Sequence, residues 1–251
     1  MVKPYKAVLF DLFNTVAMWQ PDRLPPFEWR GKTLHSTIGI LRQTVEEQVP
    51  EASFDAFLDA LWAANDELSA RRATDMKEIP SLERFTLTLT KIGYPEVEDT
   101  RRRARILSLK HMELLASAVE VPNTHVDFLG RISERYPLAL VSNFDHGPTA
   151  REIVERDGVA GYFDPIVISD DHGWRKPHPS IFSDTLATLG VAADEALYVG
   201  DSAEDDVVGA KGAGLDIAWV NARGGELPAG IPAPDYVVAA IPALSDILLP
   251  D

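Results

Sequence analysis

The sequence predicts an α/β fold in which a parallel β-sheet carries helices on both faces and a long helical segment is inserted after the first strand. Short apolar runs without polar alternation recur along the chain, as expected of strands that are buried on both faces. These runs lie at residues 7–10, 138–141, 165–168, 197–199, 217–220 and 236–238. From about residue 120 onward they alternate with helical segments, which is the pattern of consecutive β-α units.

The segment between the first two of these strands contains no convincing strand and is predicted to be all-α. Its apolar residues follow the i, i+3, i+4 spacing of a helix, first at Phe54, Phe57, Leu58, Leu61, Trp62 and Leu68, then at Leu82, Phe85, Leu89 and Ile92. The proline-rich entry at residues 19–26 suits a linker or hinge. We therefore predict an α/β core of residues 1–15 and 116–251 and a helical unit of residues 16–115.

Composition limits the class of partner. Lys and Arg number 24 against 39 Asp and Glu, and the net charge of -15 disfavours nucleic acid and anionic membranes as partners. A small anionic substrate would need a local positive pocket. The run of arginines at residues 101–105 is interpreted as a solvated helix face.

The chain has no cysteine, so oxygen and nitrogen groups must perform any chemistry. The first six residues lack a signal-peptide pattern, and no apolar stretch is long enough to span a bilayer. We expect a cytoplasmic protein.

Four loops that follow predicted strands concentrate the reactive side chains. They are residues 10–15 (FDLFNT), 141–143 (VSN), 173–179 (GWRKPHP) and 199–206 (VGDSAEDD). Taken singly, each has an ordinary explanation as a turn, a helix cap or a solvated lysine. The carboxyl ends of parallel strands share one edge of the sheet, where ligands bind, so we expect the four loops to meet there.

The fourth loop predicts a cation site. Asp201, Asp205 and Asp206 follow Gly200 where a strand turns into a helix. Carboxylates this close repel one another unless a cation neutralises them, and ligation by oxygen alone suits Mg²⁺. In the third loop, prolines flank Lys176 and stiffen its backbone, so its charge is available to a phosphate or carboxylate.

Together, the four loops resemble the ordered motifs of the haloacid dehalogenase-like (HAD) hydrolase superfamily. The resemblance covers residues 5–15 and 120–240. It implies a Rossmann-like core, with the helical unit as the family's helical cap. We expect this cap to lie over the site and to move when ligand enters.

The resemblance also implies roles for individual residues. Asp11 would be the nucleophile that forms a covalent aspartyl intermediate with a phosphoryl group or a substrate carbon. The side chains that would hold the transferring group and spread its charge are Thr15, Ser142, Asn143 and Lys176. The ligands implied for Mg²⁺ are Asp11, Asp201 and the backbone carbonyl of Phe13, with Asp206 directly behind them and Asp205 a less favoured substitute for Asp206.

Phe13 departs from the phosphatases that this chain resembles. Their second residue after the nucleophile is an aspartate that protonates the leaving group and activates water, and phenylalanine cannot transfer a proton. Three interpretations stay open: a hydrolase whose leaving group needs little protonation or takes its proton from the cap, a metal-free 2-haloacid dehalogenase, and a catalytically weak binding or regulatory protein. By residue type alone, the cap offers His35, Asp66, Glu67 and Glu78 as acids.

Overall fold

The computed structural model describes residues 3–250, which form two compact units. One unit runs to Trp19 and resumes at Glu120, and the other is Gln20–Val119. Met1, Val2 and Asp251, which belong to the ends of the predicted core, lie outside the described residues. The placement of a cap over the active site stays a prediction.

Strands and helices alternate regularly only in the first unit. The strands are β1 (Ala7–Phe10), β2 (Met18–Trp19), β3 (Pro26–Trp29), β4 (Lys32–His35), β5 (Val119–Glu120), β6 (Leu138–Ser142), β7 (Phe163–Ile168), β8 (Ala196–Gly200), β9 (Asp216–Val220) and β10 (Tyr236–Val238). The helices are α1 (Thr37–Gln48), α2 (Phe54–Asp75), α3 (Ser81–Lys91), α4 (Glu98–Ser117), α5 (Asn123–Ser133), α6 (Gly147–Arg156), α7 (Ser169–His172), α8 (Pro179–Leu189), α9 (Val208–Ala213) and α10 (Ser245–Leu248). None of these helices, in the chain from residue 3 to 250, has the length and apolarity needed to cross a membrane.

The predicted parallel sheet is confirmed. It has six strands in the order β10-β9-β8-β1-β6-β7, and all of its pairings are parallel. Counted along the chain within the sheet, this order is the 3-2-1-4-5-6 arrangement of the Rossmann fold. Each of the six apolar runs found in the sequence corresponds to one of these strands.

Burial on both faces explains why the strands are continuous apolar runs. Every residue of β1, β6 and β8 is buried. On one face, Leu9, Val141 and Tyr198 of these strands pack with Phe182 of α8 and Ala210 of α9. A polar residue in such a strand must find a partner inside the protein, a condition that Tyr198 meets at the site described below.

The strand order places the ligand-binding edge of the sheet between β1 and β8. From β1 the chain adds β6 and β7 on one side, and it then crosses over to add β8, β9 and β10 on the other. Ligands bind at the carboxyl ends of strands where the connections diverge in this way. Phe10 pairs with Val199 at this point, and the backbone N–H of Asp11 donates to the Val199 carbonyl at 2.8 Å.

The unit Gln20–Val119 contains α1 to α4, but the prediction that residues 16–115 are all-α was wrong, because β2, β3 and β4 also lie in that range. Strands β3 and β4 form an antiparallel hairpin, with Phe27 opposite Leu34. Arg30 and Gly31 connect them and both have positive φ, at 48° and 75°, as the tight turns that match strand twist require. The hairpin strands are short, and their exposed lysine, threonine and glutamate residues hide the alternation of Phe27, Trp29 and Leu34.

The helices of this unit follow the predicted apolar spacing. In α2, five of the six predicted positions, Phe54, Phe57, Leu58, Leu61 and Leu68, are buried. Trp62 is 37% exposed instead and packs against Trp29 of the hairpin, with 5.7 Å between the ring centroids. The Ser53 hydroxyl caps the start of α2 by accepting from the Ala56 N–H at 3.2 Å.

The arginine run lies on α4 among acidic partners. Arg101 pairs with Glu83 at 2.7 Å, and Arg102 and Arg103 both pair with Asp99, at 2.8 and 2.7 Å. These ion pairs are largely solvent-exposed, so each contributes little to stability. These three arginines therefore form a charged helix surface with acidic neighbours, as the interpretation of the run as a solvated helix face expects.

Candidate active site

The predicted loops meet in a cavity of about 170 Å³ at the carboxyl edge of the sheet. Its walls come from the residues that follow β1, β6 and β8 and from the loop that precedes α8. The lining residues are Asp11, Phe13, Asn14, Asn143, Arg175, Lys176, Asp201, Ser202, Asp205 and Asp206. Of the predicted site residues, Thr15 and Ser142 alone do not line it.

Lys176 lies at the centre of a buried charge cluster. The side chain is 3% exposed, and its Nζ donates to Asp11 Oδ1 at 2.6 Å, to Asp206 Oδ1 at 2.7 Å and to the Tyr198 hydroxyl at 2.8 Å. Burial disfavours the charged amine, but Asp11 and Asp206 outweigh it and raise the pKa of Lys176 above its ordinary value. Lys176 is therefore a fixed positive charge between two carboxylates.

Removing this charge is expected to destabilise the protein. In Lys176→Met, Asp11 and Asp206 keep their burial and lose their shared cation, and breaking a buried pair from one side costs about 3–5 kcal/mol. The free energy of unfolding at neutral pH, measured by urea denaturation, should fall by that amount. Lys211→Met is the matched control, because it breaks a pair of similar length, 2.6 Å to Asp235, whose side chains are 26% and 31% exposed.

In the Lys211→Met control, the free energy of unfolding should fall by less than about 1 kcal/mol. A loss in Lys176→Met no larger than in the control would contradict the interpretation that Lys176 balances two buried charges.

Asp11 and Asp201 are carboxylates whose surroundings disfavour negative charge. Burial is the main cause that raises the pKa of Asp11 to about 7, and Asp206 and Asp201 add to it against the opposing effect of Lys176. Burial, followed by the charge of Asp206, raises the pKa of Asp201 to about 6. Both shifts arise chiefly from burial, with a further contribution from the neighbouring carboxylates.

The donor set fits a small divalent cation. Carboxylate oxygens of Asp11, Asp201 and Asp206 lie within 4.8 Å of one another. Hard cations such as Mg²⁺ prefer oxygen ligands of this kind, and a cation would offset the repulsion among the three carboxylates.

A single π-helical turn, Ala203–Val207, directs the two adjacent acids to different partners. Asp206 turns inward, where its Oδ2 accepts from the Ser202 N–H at 2.9 Å while Oδ1 contacts Lys176. Asp205 turns toward Asn143, whose Nδ2 donates to Asp205 Oδ2 at 3.1 Å. Asp206 therefore joins the carboxylate cluster with Asp11 and Asp201, and Asp205 forms part of the wall.

Gly200 makes room for Asp206. A Cβ atom at Gly200 would lie 2.7 Å from the Asp206 Cβ, far inside van der Waals contact. We expect Gly200→Ala to displace Asp206, to lower stability by about 1–3 kcal/mol as overpacking does, and to weaken Mg²⁺ binding in calorimetry. In α9, a methyl group at Gly212 would meet none of the described residues within 4 Å, its own helix aside, so Gly212→Ala should leave Mg²⁺ binding unchanged.

Equal Mg²⁺ affinities in the two alanine variants would show that Asp206 does not depend on the space at Gly200.

Asn143 fixes the loop that carries Lys176. Its Oδ1 accepts from the Lys176 backbone N–H at 2.7 Å, and its Nδ2 donates to the Lys176 carbonyl at 3.0 Å. Next to it, the Ser142 hydroxyl is buried, as is the hydroxyl of Thr15 after β1. Within residues 3–250 neither hydroxyl oxygen has a hydrogen-bond partner. Buried hydroxyls normally have one, so the hydrogen-bonding capacity of these two is unmet by the protein itself.

Phe13 packs against an aromatic neighbour at the cavity. Its ring centroid lies 4.7 Å from that of Phe144, at an interplanar angle of 42°. Asn14 follows with φ at 58°, and its side chain hydrogen-bonds Asp201. The use of the Phe13 carbonyl as a metal ligand stays a prediction.

Three of the four acids suggested from the helical unit are engaged within that unit. The His35 ring nitrogen Nδ1 lies 3.0 Å from the Leu24 carbonyl, Glu67 pairs with Lys91 at 2.7 Å, and Glu78 pairs with Arg72 at 3.0 Å. Asp66 is exposed. Their part in catalysis stays a prediction that rests on residue type.

The sequence alone did not identify Tyr198, Asn14 or Arg175 as site residues. Tyr198 contacts Lys176 and also lies at hydrogen-bond distance from Asp206 Oδ1, at 3.2 Å, and from the Val141 carbonyl, at 3.1 Å. A signal for it was present, because a tyrosine inside a fully buried strand needs a partner for its hydroxyl. Asn14 and Arg175 carried no comparable signal.

A Rossmann-type sheet with this carboxylate-lysine cluster at its carboxyl edge defines a class of hydrolase. The model of the haloacid dehalogenase-like hydrolase family matches residues 5–214, and the chain belongs to that family. The resemblance seen in the sequence is thereby confirmed, and the protein is a HAD-like hydrolase.

Individual relatives match the chain in part. It is 41% identical over 96 residues to the pyrimidine 5'-nucleotidase YjjG of Escherichia coli, which covers 38% of this chain and 42% of that protein. It is 35% identical over 121 residues to the N-acylneuraminate-9-phosphatase of Rattus norvegicus, covering 48% of each. The chain thus spans about half the length, or less, of these curated relatives.

Solved structures match over nearly the whole chain. A 2-haloacid dehalogenase from Pseudomonas syringae pv. Tomato superposes with a TM-score of 0.75 at 23% identity, covering 97% of this chain and 98% of the other. A HAD phosphatase from Thermococcus onnurineus gives a TM-score of 0.61 at 25% identity, with the same coverage. The likeness to the dehalogenase shows the shared fold alone.

Proposed function

We propose that this hydrolase is a Mg²⁺-dependent phosphatase that acts on a small anionic molecule through an aspartyl intermediate on Asp11. The observation that carries the proposal is the cluster of Asp11, Asp201 and Asp206, whose carboxylate oxygens lie within 4.8 Å of one another. A metal-free reaction has no need of three clustered acids around one lysine. The two relatives described above, a nucleotidase and a phosphatase, support the same class of substrate.

In the first step, a carboxylate oxygen of Asp11 attacks phosphorus. Lys176 holds Oδ1, so we assign the attack to Oδ2. The bond from phosphorus to the leaving oxygen breaks, and an aspartyl phosphate forms. The leaving oxygen carries away the electron pair and takes a proton from solvent, because Phe13 has none to give.

In the second step, water attacks the phosphorus of the aspartyl phosphate. The bond between phosphorus and the Asp11 oxygen breaks, which restores the carboxylate and releases inorganic phosphate, and the protons of the attacking water leave with the phosphate or pass to solvent. Lys176 and the hydroxyls of Thr15 and Ser142 hold the phosphoryl oxygens through both steps. Asp11, Asp201, Asp206 and the Phe13 carbonyl would hold Mg²⁺, which when bound would supply further positive charge at the site.

The lack of an acid at position 13 limits the leaving group. General acid catalysis contributes roughly 10²–10⁴-fold, and a basic alkoxide needs this contribution most. We therefore propose that the natural substrate has an activated leaving group, as in an acyl phosphate or an aryl ester.

A second candidate function is 2-haloacid dehalogenation, and the observation in its favour is Phe13. Halide leaves without a proton, so a phenylalanine packed against Phe144 costs that reaction nothing. The third interpretation, a binding or regulatory protein, shares the same site geometry but predicts no turnover.

One screen separates these functions. The protein is assayed with 4-nitrophenyl phosphate, acetyl phosphate, glycerol 3-phosphate and 2-chloropropionate, each with Mg²⁺ and with EDTA. We expect hydrolysis of the first two with Mg²⁺ only and much slower hydrolysis of the alkyl ester. Chloride release in EDTA would replace the proposal with dehalogenation, and no turnover in any assay would leave the binding protein.

A further inference from the structure

A second cavity, of about 430 Å³, adjoins the candidate active site in the same unit of the protein. Asn14 and Asp201 line both cavities, so the two are neighbours that share a wall. The other lining residues of the second cavity are Met18, Trp19, Trp219, Val220, Asn221, Ala222 and Arg223. The catalytic assignments above use none of these seven residues.

The aromatic wall of this cavity is anchored to a proposed metal ligand. The Trp219 indole N–H donates to the backbone carbonyl of Asp201 at 2.8 Å, and Trp219 is 8% exposed. The Asn14 side chain also hydrogen-bonds the Asp201 carboxylate. Because the wall is tied to Asp201, a group bound against Trp219 lies at a fixed position relative to the reaction.

The polar end of the cavity is a turn that presents Arg223. The Asn221 side chain closes this turn, with Nδ2 donating to the Gly225 carbonyl at 2.8 Å and Oδ1 accepting from the Gly225 N–H at 3.1 Å. Arg223 is exposed, and within the described chain it has no ion pair and no hydrogen bond. Several other arginines of this acidic protein are paired, as Arg101 is with Glu83, whereas the Arg223 guanidinium is free among the described residues and lies at a cavity.

Charge argues for an anionic occupant near Arg223. Asp11, Asp201 and Asp206 make the catalytic cavity negative, so these residues do not attract a second anionic group of the substrate. A free guanidinium binds carboxylate or phosphate with two parallel hydrogen bonds. Trp19 and Trp219 both line the cavity, and aromatic side chains suit a ring or a short hydrocarbon segment of the substrate.

We infer that this cavity is a specificity subsite for a substrate with two anionic ends, one of them the reacting phosphate and the other bound by Arg223. The inference rests on the proposed phosphatase function. It assigns to the substrate a planar or apolar body and a second anion, either a carboxylate or a second phosphate.

The test compares two aryl phosphates that differ in a second anion. KM and kcat are measured for phenyl phosphate and 4-carboxyphenyl phosphate in the wild type and in Arg223→Met. Because the guanidinium binds a carboxylate through two parallel hydrogen bonds, KM for the carboxylated ester should rise roughly 10-fold in Arg223→Met. KM for phenyl phosphate and both kcat values should stay within about twofold, because Arg223 acts on binding alone.

Arg131→Met is the control for loss of one positive charge. Arg131 is in the last turn of α5, the helix that leads to the amino end of β6, away from the catalytic edge. The Arg131→Met substitution should change KM for neither ester.

A third substrate, 4-(phosphonomethyl)phenyl phosphate, distinguishes the two possible second anions. If the subsite binds phosphate, Arg223→Met should raise KM more for this compound than for 4-carboxyphenyl phosphate.

An Arg223→Met effect that is equal for phenyl and carboxyphenyl phosphate, or matched by Arg131→Met, would overturn the subsite and leave the phosphatase function intact. If the wild type hydrolyses neither ester, the proposed function fails and binding is measured through tryptophan fluorescence instead. Tighter binding of the carboxylated ester that disappears in Arg223→Met supports the subsite, whereas equal binding of both esters by both proteins overturns it.

Discussion

Substitution Asp11→Asn is expected to abolish hydrolysis, lowering kcat/KM by roughly 10⁴-fold or more for every accepted substrate. The amide keeps the size of the side chain but cannot form the aspartyl intermediate. Its nitrogen and oxygen remain next to Lys176 Nζ, which lies 2.6 Å from Oδ1 in the parent protein. Steady-state kinetics with 4-nitrophenyl phosphate and Mg²⁺, alongside a thermal unfolding curve, measure the effect on a folded enzyme.

Asp205→Asn is the matched control. Asp205 lines the same cavity, and burial raises its pKa, but its carboxylate accepts from Asn143 and takes no part in the carboxylate cluster. We expect kcat/KM of the Asp205→Asn variant to fall by less than about tenfold. Comparable losses in both variants would mean that Asp11 acts only through the charge of the cavity.

Substitution Phe13→Asp is expected to create the missing general acid. The new carboxyl group would face the cavity that Phe13 now lines, and protonation of the leaving oxygen is worth roughly 10²–10⁴-fold. The gain should be largest for glycerol 3-phosphate and small for 4-nitrophenyl phosphate, because a good leaving group needs no proton. The ratio of kcat/KM for glycerol 3-phosphate to kcat/KM for 4-nitrophenyl phosphate, compared between the variant and the parent protein, measures the contribution of the new acid.

Phe13→Asn removes the same contact with Phe144 without adding an acid. If Phe13→Asn raises kcat/KM for glycerol 3-phosphate as much as Phe13→Asp does, the gain comes from removal of the phenyl ring and not from proton transfer. No gain in either variant, together with no effect of Asp11→Asn, would remove the enzymatic interpretation and favour a binding protein.

The sheet could be predicted from the sequence because each of its strands is a nearly continuous apolar run. Both faces of β1, β6 and β8 are buried, so the runs stand out from helical spacing. The hairpin of β3 and β4 could not be found in this way. Five of its eight strand residues are exposed and none is buried, and the pattern is too short to separate from a loop.

The candidate site was predictable as a set of loops but not as a set of contacts. Asp11 and Asp201 directly follow buried strands, and parallel pairing brings the ends of such strands together. Lys176 is 165 residues from Asp11, and nothing in the sequence indicates that its amine would bind both Asp11 and Asp206. That arrangement depends on the clamp that Asn143 forms on the Lys176 backbone.

Arg223 shows the same limit. In the sequence it is one arginine in a glycine-rich loop after β9, with no motif around it. Its position beside the catalytic cavity follows from the course of β8 and β9, which pair in register from Leu197 and Asp216 to Gly200 and Trp219.

The most direct test of catalysis through Asp11 is to detect the covalent intermediate. Enzyme and an excess of acetyl phosphate with Mg²⁺ are mixed, quenched in acid within milliseconds, digested and analysed by mass spectrometry. We expect a transient phosphoryl group on the peptide that contains Asp11, absent in Asp11→Asn, and ¹⁸O from labelled water in the released phosphate. An unmodified Asp11 peptide during active turnover, or ¹⁸O that enters the Asp11 carboxylate in place of phosphate, would contradict the proposed mechanism.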